Sequence, residues 1–226
     1  MKIATKLSKL LTVTGGLIVV IGASRNAHAS TMFFTDVNAF DALTNTTLVE
    51  DFEAFAPKNR ALPSFVSNGN TYTGLAGVPH PNVWVTTPGY ANSGVPATTS
   101  SILTANGEED FTVEFGTPTE AVGFDTYVNA FGPATVSVFG TTGLLDTFLL
   151  NHDPATVGFL GILASEEISS IRWSTVNGRR VGTGIDNIVQ GTEIESASTP
   201  EPTSVLSLIG LGVLGFGSRL LKRTSR

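Results

Sequence analysis

The region between residues 111 and 189 is a series of short stretches in which apolar and polar side chains alternate. The first two stretches place apolar residues at Phe111, Val113 and Phe115, then at Val122, Phe124 and Val128. Further stretches cover residues 135–139, 144–150, 157–163, 168–173 and 185–189. A period of two puts the apolar side chains on one face of a strand. Short strands at a spacing of about 10 residues predict an antiparallel β-sandwich.

The preceding part of the body has a different composition. Residues 58–101 are rich in Pro, Gly, Asn, Ser and Thr, which predicts long loops with short strands at 72–75 and 83–85. Asp36 is placed to cap a short helix over residues 37–44. The sequence therefore predicts one all-β domain over residues 30–194 with a single short N-terminal helix.

The basic residues are concentrated at the two ends of the chain. Eight of the 13 lie in residues 1–29 and 219–226, which contain no acid, so five bases and all 19 acids remain between them. A body this acidic repels phosphate backbones, which argues against a nucleic-acid partner. A basic start, an apolar run over residues 10–21 and small residues at Ala27 and Ala29 are typical of a secretory signal peptide. We expect cleavage after Ala29.

The C-terminal region has three parts. Residues 195–203 form a polar linker that contains Pro200-Glu201-Pro202, residues 204–221 are apolar, and residues 222–226 are basic. Eighteen helical residues span about 27 Å, which is enough for a transmembrane helix with its basic tail in the cytoplasm.

The order of these parts resembles the PEP-CTERM sorting signal of exported bacterial proteins. The tripeptide is followed by the apolar helix and then by Arg219, Lys222 and Arg223. The resemblance implies an exosortase partner, cleavage near the tripeptide, and a bacterium that makes extracellular polysaccharide. It implies a protein held temporarily in the membrane and then placed at the cell surface or outside the cell. A plain membrane anchor is the alternative.

The two ends of the body resemble jelly-roll sandwiches of the galactose-binding-like and MAM type. The residues that carry this resemblance are Asp51-Phe52-Glu53, on an expected early strand, and 184–188, on the expected last strand. The resemblance implies a jelly-roll-like β-sandwich in which the early and closing strands lie side by side.

The sequence offers little catalytic chemistry. There is no Cys, and the body contains two His, His80 and His152, both in expected loops. Acidic runs at 108–110 and 166–167 are the nearest candidates for a carboxylate pair. We therefore expect no catalytic residue, and interpret the body as a non-catalytic binding or structural module that interacts with extracellular polysaccharide. A secreted glycan hydrolase that uses a carboxylate pair is the alternative.

Three further sets of residues are candidate binding groups. Trp84 and Tyr90 lie in the loop-rich region and could stack on sugar rings, whereas Trp173 is expected in the core. A group of arginines could instead bind an acidic polysaccharide: Arg172, Arg179 and Arg180. Finally, we expect no cofactor apart from one candidate: a structural Ca²⁺ where the first and last strands meet, held by Asp51, Glu53 and Asp186, with Asn187 and backbone carbonyls completing the shell. The alternative is that these acids point outward separately.

Overall fold

The computed structural model describes residues 30–75, 81–91, 96–105, 110–176 and 183–194. Within these ranges the strands are β1 (Thr31–Phe34), β2 (Thr44–Glu50), β3 (Ser64–Ser67), β4 (Asn70–Gly74), β5 (Val83–Val85), β6 (Leu103–Ala105), β7 (Phe111–Val128), β8 (Ala134–Gly140), β9 (Gly143–Leu150), β10 (Gly158–Thr175) and β11 (Thr183–Glu193), and the helix α1 is Val37–Asp41. The pairings between these strands are antiparallel. The prediction of a mostly β, antiparallel body with one short helix is confirmed.

Both predicted terminal segments, the signal peptide at 1–29 and the apolar helix at 204–221, lie outside the described residues. Inside them, no helix has the length and apolar character needed to cross a bilayer.

Two long strands organise the sheet, where the sequence predicts four short ones. β7 joins the two expected strands at 111–115 and 122–128, and β10 joins those at 157–163 and 168–173. Their pairing shifts register between Leu163 and Ser170. Such β-bulges let a strand bend without ending. Gly116 and Pro118 lie at this bend in β7. Both residue types are disfavoured inside strands, so in the sequence they suggest a break between two strands.

The bend divides the sheet into two halves. The β8 half contains β3, β4, β8 and β9 with residues 111–116 and 168–175 of the long strands. The β11 half contains β1, β2, β5, β6 and β11 with residues 119–128 and 158–164. The early strand β2 pairs with the closing strand β11, as the jelly-roll resemblance implies.

The two halves pack against each other across one apolar core. Phe124 of the β11 half lies edge-on to Trp173 of the β8 half, with ring centroids 5.2 Å apart. Phe33 of β1 stacks on Phe148 of β9 at 5.1 Å. Trp173 is fully buried, which confirms its predicted place in the core.

The outer face of the β11 half carries its own apolar cluster beneath α1. Phe40, Ala121 and Leu163 are buried there, with Phe159 and Val189 packed against them. The side chain of Asp36 accepts a hydrogen bond from the backbone N–H of Ala39, as an N-cap does.

Three local predictions require correction. The helix ends at Asp41 rather than at residue 44, because β2 already begins at Thr44. β2 ends at Glu50, so Asp51 and Glu53 lie in the turn after the strand and not on it. Residues 58–101 are less loop-like than expected, because they also contain β3.

Candidate functional site

A cleft of about 850 Å³ lies between α1 and the outer face of the β11 half. Its lining combines carboxylates, amides, hydroxyls and one aromatic ring, from residues Thr35, Asp36, Val37, Asn38, Asp41, Thr44, Asn45, Thr46, Asp125, Val157, Gly158, Phe159, Asn187 and Val189. Its volume lies within the range of roughly 300–1,000 Å³ that is usual for small-molecule sites. The described residues of the lining include no Lys, Arg or His.

The helix forms one wall of the cleft and is held by its single buried aromatic residue. Phe40 is fully buried and contacts Phe34 and Phe159, with ring centroids 5.7 and 5.6 Å away. The hydroxyl of Thr44 donates to the Phe40 carbonyl at 2.9 Å, which ties the end of the helix to β2. The polar residues of the short helix are therefore presented to the cleft by a rigid support.

Small residues in the sheet make room for the aromatic ring in the floor of the cleft. A Cβ atom on Gly161 would lie 2.5 Å from the ring of Phe40, and one on Gly123 would lie 3.0 Å from the ring of Phe159. Phe159 is half-buried and lines the cleft. Its ring is thus seated on glycine backbone and is available to a ligand from above.

The opposite wall is built by Asp125 of β7 and Asn187 of β11. The Asn187 side-chain amide donates to Asp125 Oδ2 at 2.7 Å. Asn187 has a φ of +48° and lies within the register shift of β11 against β7; the shift of β11 against β2 follows between Ile188 and Val189. A left-handed backbone is uncommon for a residue other than glycine, and such conformations cluster at functional sites.

Asp186 lies beneath this wall and is fully buried. Its Oδ2 accepts from the Ser100 hydroxyl at 2.6 Å, and its Oδ1 accepts from the Asn187 backbone N–H at 2.8 Å. Burial raises the pKa of Asp186 to about 6, and the nearby carboxylates of Asp125 and Glu53 add to the rise. Asp186 therefore supports the backbone of Asn187 from inside the protein and does not face a ligand.

The groups in the cleft suit a polyhydroxylated ligand. Carboxylates and amides bind hydroxyl groups with defined geometry, and a ring face offers flat apolar area to C–H groups. The carboxylates of Asp36, Asp41 and Asp125 in the lining disfavour anionic ligands.

The predicted sugar-stacking residues, Trp84 and Tyr90, lie on the same outer face but not in the cleft. Val83 and Val85 are buried in the core, so Trp84 between them points outward, opposite Thr104 of β6. Tyr90 packs on buried Ile102 and Tyr127. Both aromatic side chains are half-buried.

Of the predicted calcium ligands, the structure brings Glu53 and Asp186 close enough to interact electrostatically. Glu53 accepts from the Ser101 backbone N–H at 2.7 Å and pairs with Lys58 at 3.2 Å, and these contacts lower the pKa of Glu53. Asp51 accepts from the Glu53 backbone N–H. Among the described residues no group of three or more His, Cys, Asp or Glu side chains is arranged to hold a metal ion. The calcium site stays a prediction.

One described residue of each expected acidic run accepts a hydrogen bond from a residue of another strand or turn. Asp110 accepts from the Thr175 backbone N–H at 2.7 Å and lies 3.7 Å from Arg172. Glu166 accepts from the Thr142 hydroxyl at 2.9 Å. Glu108, Glu109, His80, Arg179 and Arg180 lie outside the described residues.

His152 lies in a loop, as the sequence predicts, and is half-buried. Its Nε2 lies 3.3 Å from the hydroxyl of Thr126 and its Nδ1 lies 3.1 Å from the Asp153 carbonyl oxygen.

Sequence reasoning missed most of the cleft, including Asp41, Asp125 and Phe159. One signal was available for Asp125, which is an acid in the middle of the apolar stretch 121–128. A charged residue in such a stretch indicates either a solvated face or a site.

Comparison with protein families matches residues 198–223 to the PEP-CTERM protein-sorting motif. No curated protein gives a significant match. Among solved structures, a family 29 carbohydrate-binding module is similar at 14% identity and a TM-score of 0.39 over 66% of this chain and 92% of that chain. A variant of the CBM29-2 module complexed with cellulohexaose is similar at 13% identity and a TM-score of 0.38, with the same coverages.

Proposed function

We propose a function from the premise that the chain carries a PEP-CTERM sorting motif and is therefore an exported and sorted protein. In this proposal the β-domain is a non-catalytic module that binds extracellular glycan. The observation that carries the proposal is the cleft beneath α1, in which carboxylates, amides and one half-buried ring line about 850 Å³. These are the groups that sugar hydroxyls and sugar C–H faces require.

The contacts of the acidic residues support binding rather than hydrolysis. Glycoside hydrolysis needs one carboxyl with a raised pKa that reaches the glycosidic oxygen. Asp186 has a raised pKa, but it is fully buried and bonded to Ser100 and Asn187. Of the two acidic runs suggested by the sequence, Asp110 accepts a hydrogen bond from Thr175 and Glu166 accepts one from Thr142.

We further propose that the fold is a jelly-roll variant in which β7 and β10 each cross from one half of the sheet to the other. The pairing of early β2 with closing β11, in the register Glu50 to Ile188, supports this description. That pairing also builds the site, because Thr44, Asn45 and Thr46 of β2 and Val189 of β11 line the cleft together.

The test of binding is isothermal titration calorimetry of the full-length protein in detergent against neutral hexasaccharides of glucose, mannose and galactose. Asp125→Ala removes a carboxylate from the cleft wall and should lower affinity at least tenfold, because a hydrogen bond to a charged group is lost. Asp146→Ala removes an exposed acid on β9, in the other half of the sheet, and is the matched control. Wild-type affinity in Asp125→Ala, or release of reducing ends by the wild type, would contradict the proposal.

The sorting route has its own test. We propose that residues 1–29 are removed as a signal peptide, that residues 204–221 hold the protein in the membrane, and that an exosortase cleaves near Pro200-Glu201-Pro202. The intact mass of protein released from the producing cells should then lack residues 1–29 and the tail after the tripeptide. Released protein with Arg226 still present would rule out cleavage.

A further inference from the structure

The pairing of Asp125 with Asn187 has a chemical consequence for the ligand. A carboxylate only accepts hydrogen bonds, so the Asn187 group that faces Asp125 Oδ2 at 2.7 Å must be its NH₂ group. The asparagine therefore uses one of its two N–H donors on a neighbour, and its carbonyl oxygen Oδ1 remains as an acceptor. Asp125 is left with its own Oδ1.

Neither of these two oxygens is occupied from within the described part of the chain. Among the described residues, the side chains of Asn187 and Asp125 bond to each other, and the contact of Asn187 with Asp186 is made by its backbone N–H alone. Asn187 is exposed and both residues line the cleft beside the ring of Phe159. This edge of the cleft thus presents hydrogen-bond acceptors to whatever enters it.

The backbone at Asn187 fixes this arrangement. The residue follows buried Asp186, whose carboxylate accepts the Asn187 N–H at 2.8 Å, and its φ of +48° turns it out of the regular strand. Glycine adopts this φ without strain, and asparagine is among the few other residues that tolerate it, so both residue types fit the backbone here.

We infer that Asn187 is the specificity-determining residue of the cleft, and that with Asp125 it forms a pair of acceptor oxygens that selects glycans offering two adjacent hydrogen-bond donors. This inference rests on the proposed glycan-binding function. Neutral sugars supply such donors as neighbouring hydroxyls, and amino sugars supply a hydroxyl beside an ammonium group. Uronic acids also carry neighbouring hydroxyls, but each residue adds a carboxylate that the acids of the cleft, Asp36, Asp41 and Asp125, repel, so we expect them to be rejected.

The test uses calorimetry of the full-length protein with three probes: a neutral glucose hexasaccharide, a glucosamine hexasaccharide and a galacturonate hexasaccharide. The first two should bind and the third should show no measurable heat. Asn187→Gly keeps the left-handed backbone and removes the amide, so affinity for the neutral probe should fall roughly tenfold while the melting temperature stays the same or rises.

Two further variants separate a recognition role from a structural one. Asn187→Asp keeps the size and the tolerance of positive φ but places two carboxylates together, so it should also lose affinity for the neutral probe. Asn59→Gly changes another asparagine of positive φ, at +55°, outside the cleft, and should leave affinity unchanged.

The outcomes separate the inference from the proposed function. If both Asn187 variants bind like the wild type while Asp125→Ala does not, the inference is wrong and the glycan-binding function stands. Binding of the galacturonate probe as tight as that of the neutral probe would also overturn the inference. If the wild type binds neither the neutral nor the amino probe, the proposed function itself fails.

Discussion

The outer faces of the two halves of the sheet differ in what covers them. On the β8 half, a row of exposed or half-exposed side chains runs across six strands. Its members are Ser64, Thr73, Thr112, Arg172, Ser137 and Thr147. On the β11 half, α1 packs over Leu163 and Ala121, and the segment that carries Tyr90 and Ser100 packs over Tyr127 and Asp186. Both faces derive from the same two long strands. The comparison teaches that a cleft forms where a segment covers the sheet: the sheet supplies the floor and one wall, and α1 supplies the other wall.

The largest effect should come from removing the anchor of α1. Phe40→Ala leaves a cavity under the helix and should lower the free energy of unfolding by about 3–5 kcal/mol. Leu149→Ala on the open face, where the leucine is 57% exposed, should stay within about 0.5 kcal/mol. Chemical denaturation of both variants measures the difference. Equal losses would mean that the two faces are covered alike.

The sequence predicts correctly those features of the fold that depend on residues close together along the chain. The alternation at 111–115 and the cap at Asp36 are local, and both predictions are confirmed. The cleft depends on which strands become neighbours, because Asp125 meets Asn187 only through the register of β7 against β11 and the shift at residues 186–189. Neither the register nor the bulge follows from local pattern.

The turn after β2 shows the same limit. Asp51-Phe52-Glu53 reads as a continuing strand, but Phe52 adopts a φ of +56° and its N–H donates to the Glu50 carboxylate at 2.7 Å. Phe52 then fills the core, fully buried against Tyr72 at 5.4 Å between ring centroids. A long-range contact therefore decides the end of the strand.

The second effect concerns the buried acid beneath the cleft, which has no counterpart in the row on the open face. The pKa of Asp186 is raised from 3.8 to about 6, so its ionisation costs more in the folded protein than in the unfolded chain. The free energy of unfolding therefore contains the whole contribution of protonated Asp186 below about pH 4. This contribution is lost as the pH rises to about 6, which lowers the free energy of unfolding by about 3 kcal/mol. Asp186→Asn cannot ionise and should remove this loss.

The measurement is the difference in free energy of unfolding between the wild type and Asp186→Asn at pH 4, 5, 6 and 7. The stability of the variant relative to the wild type should rise with pH and level off above about pH 6. Taking the difference removes the contributions of other groups, such as Glu53, whose lowered pKa acts in the opposite direction. A difference that does not change with pH would show that Asp186 ionises freely.

The third effect separates the two aromatic residues that the sequence proposed as a sugar platform. Tyr90 packs on Ile102 and Tyr127, so Tyr90→Ala should lower the free energy of unfolding by about 1–3 kcal/mol. Trp84 lies outward on β5, and we propose that it contacts a polysaccharide beyond the cleft. Trp84→Ala should weaken polysaccharide pull-down with little change in melting temperature. If Trp84→Ala pulls down as much polysaccharide as the wild type, Trp84 does not contact the polysaccharide and that proposal is wrong.

The smallest effect is expected on the open face, at Arg172. Its guanidinium lies 3.7 Å from Asp110, and the arginine side chain is 47% exposed, so solvent screens the pair and Arg172→Gln should cost less than about 1 kcal/mol. The same variant tests the alternative that an arginine cluster binds acidic polysaccharide. If the cleft is the glycan site, neutral hexasaccharides should bind Arg172→Gln with wild-type affinity, and the wild type should not retain a galacturonate polymer. The opposite result would be that the wild type retains the galacturonate polymer at low salt and Arg172→Gln releases it. The open face would then have a binding site of its own, in which the positive charge of Arg172, flanked by the hydroxyls of its row, holds the anionic polymer.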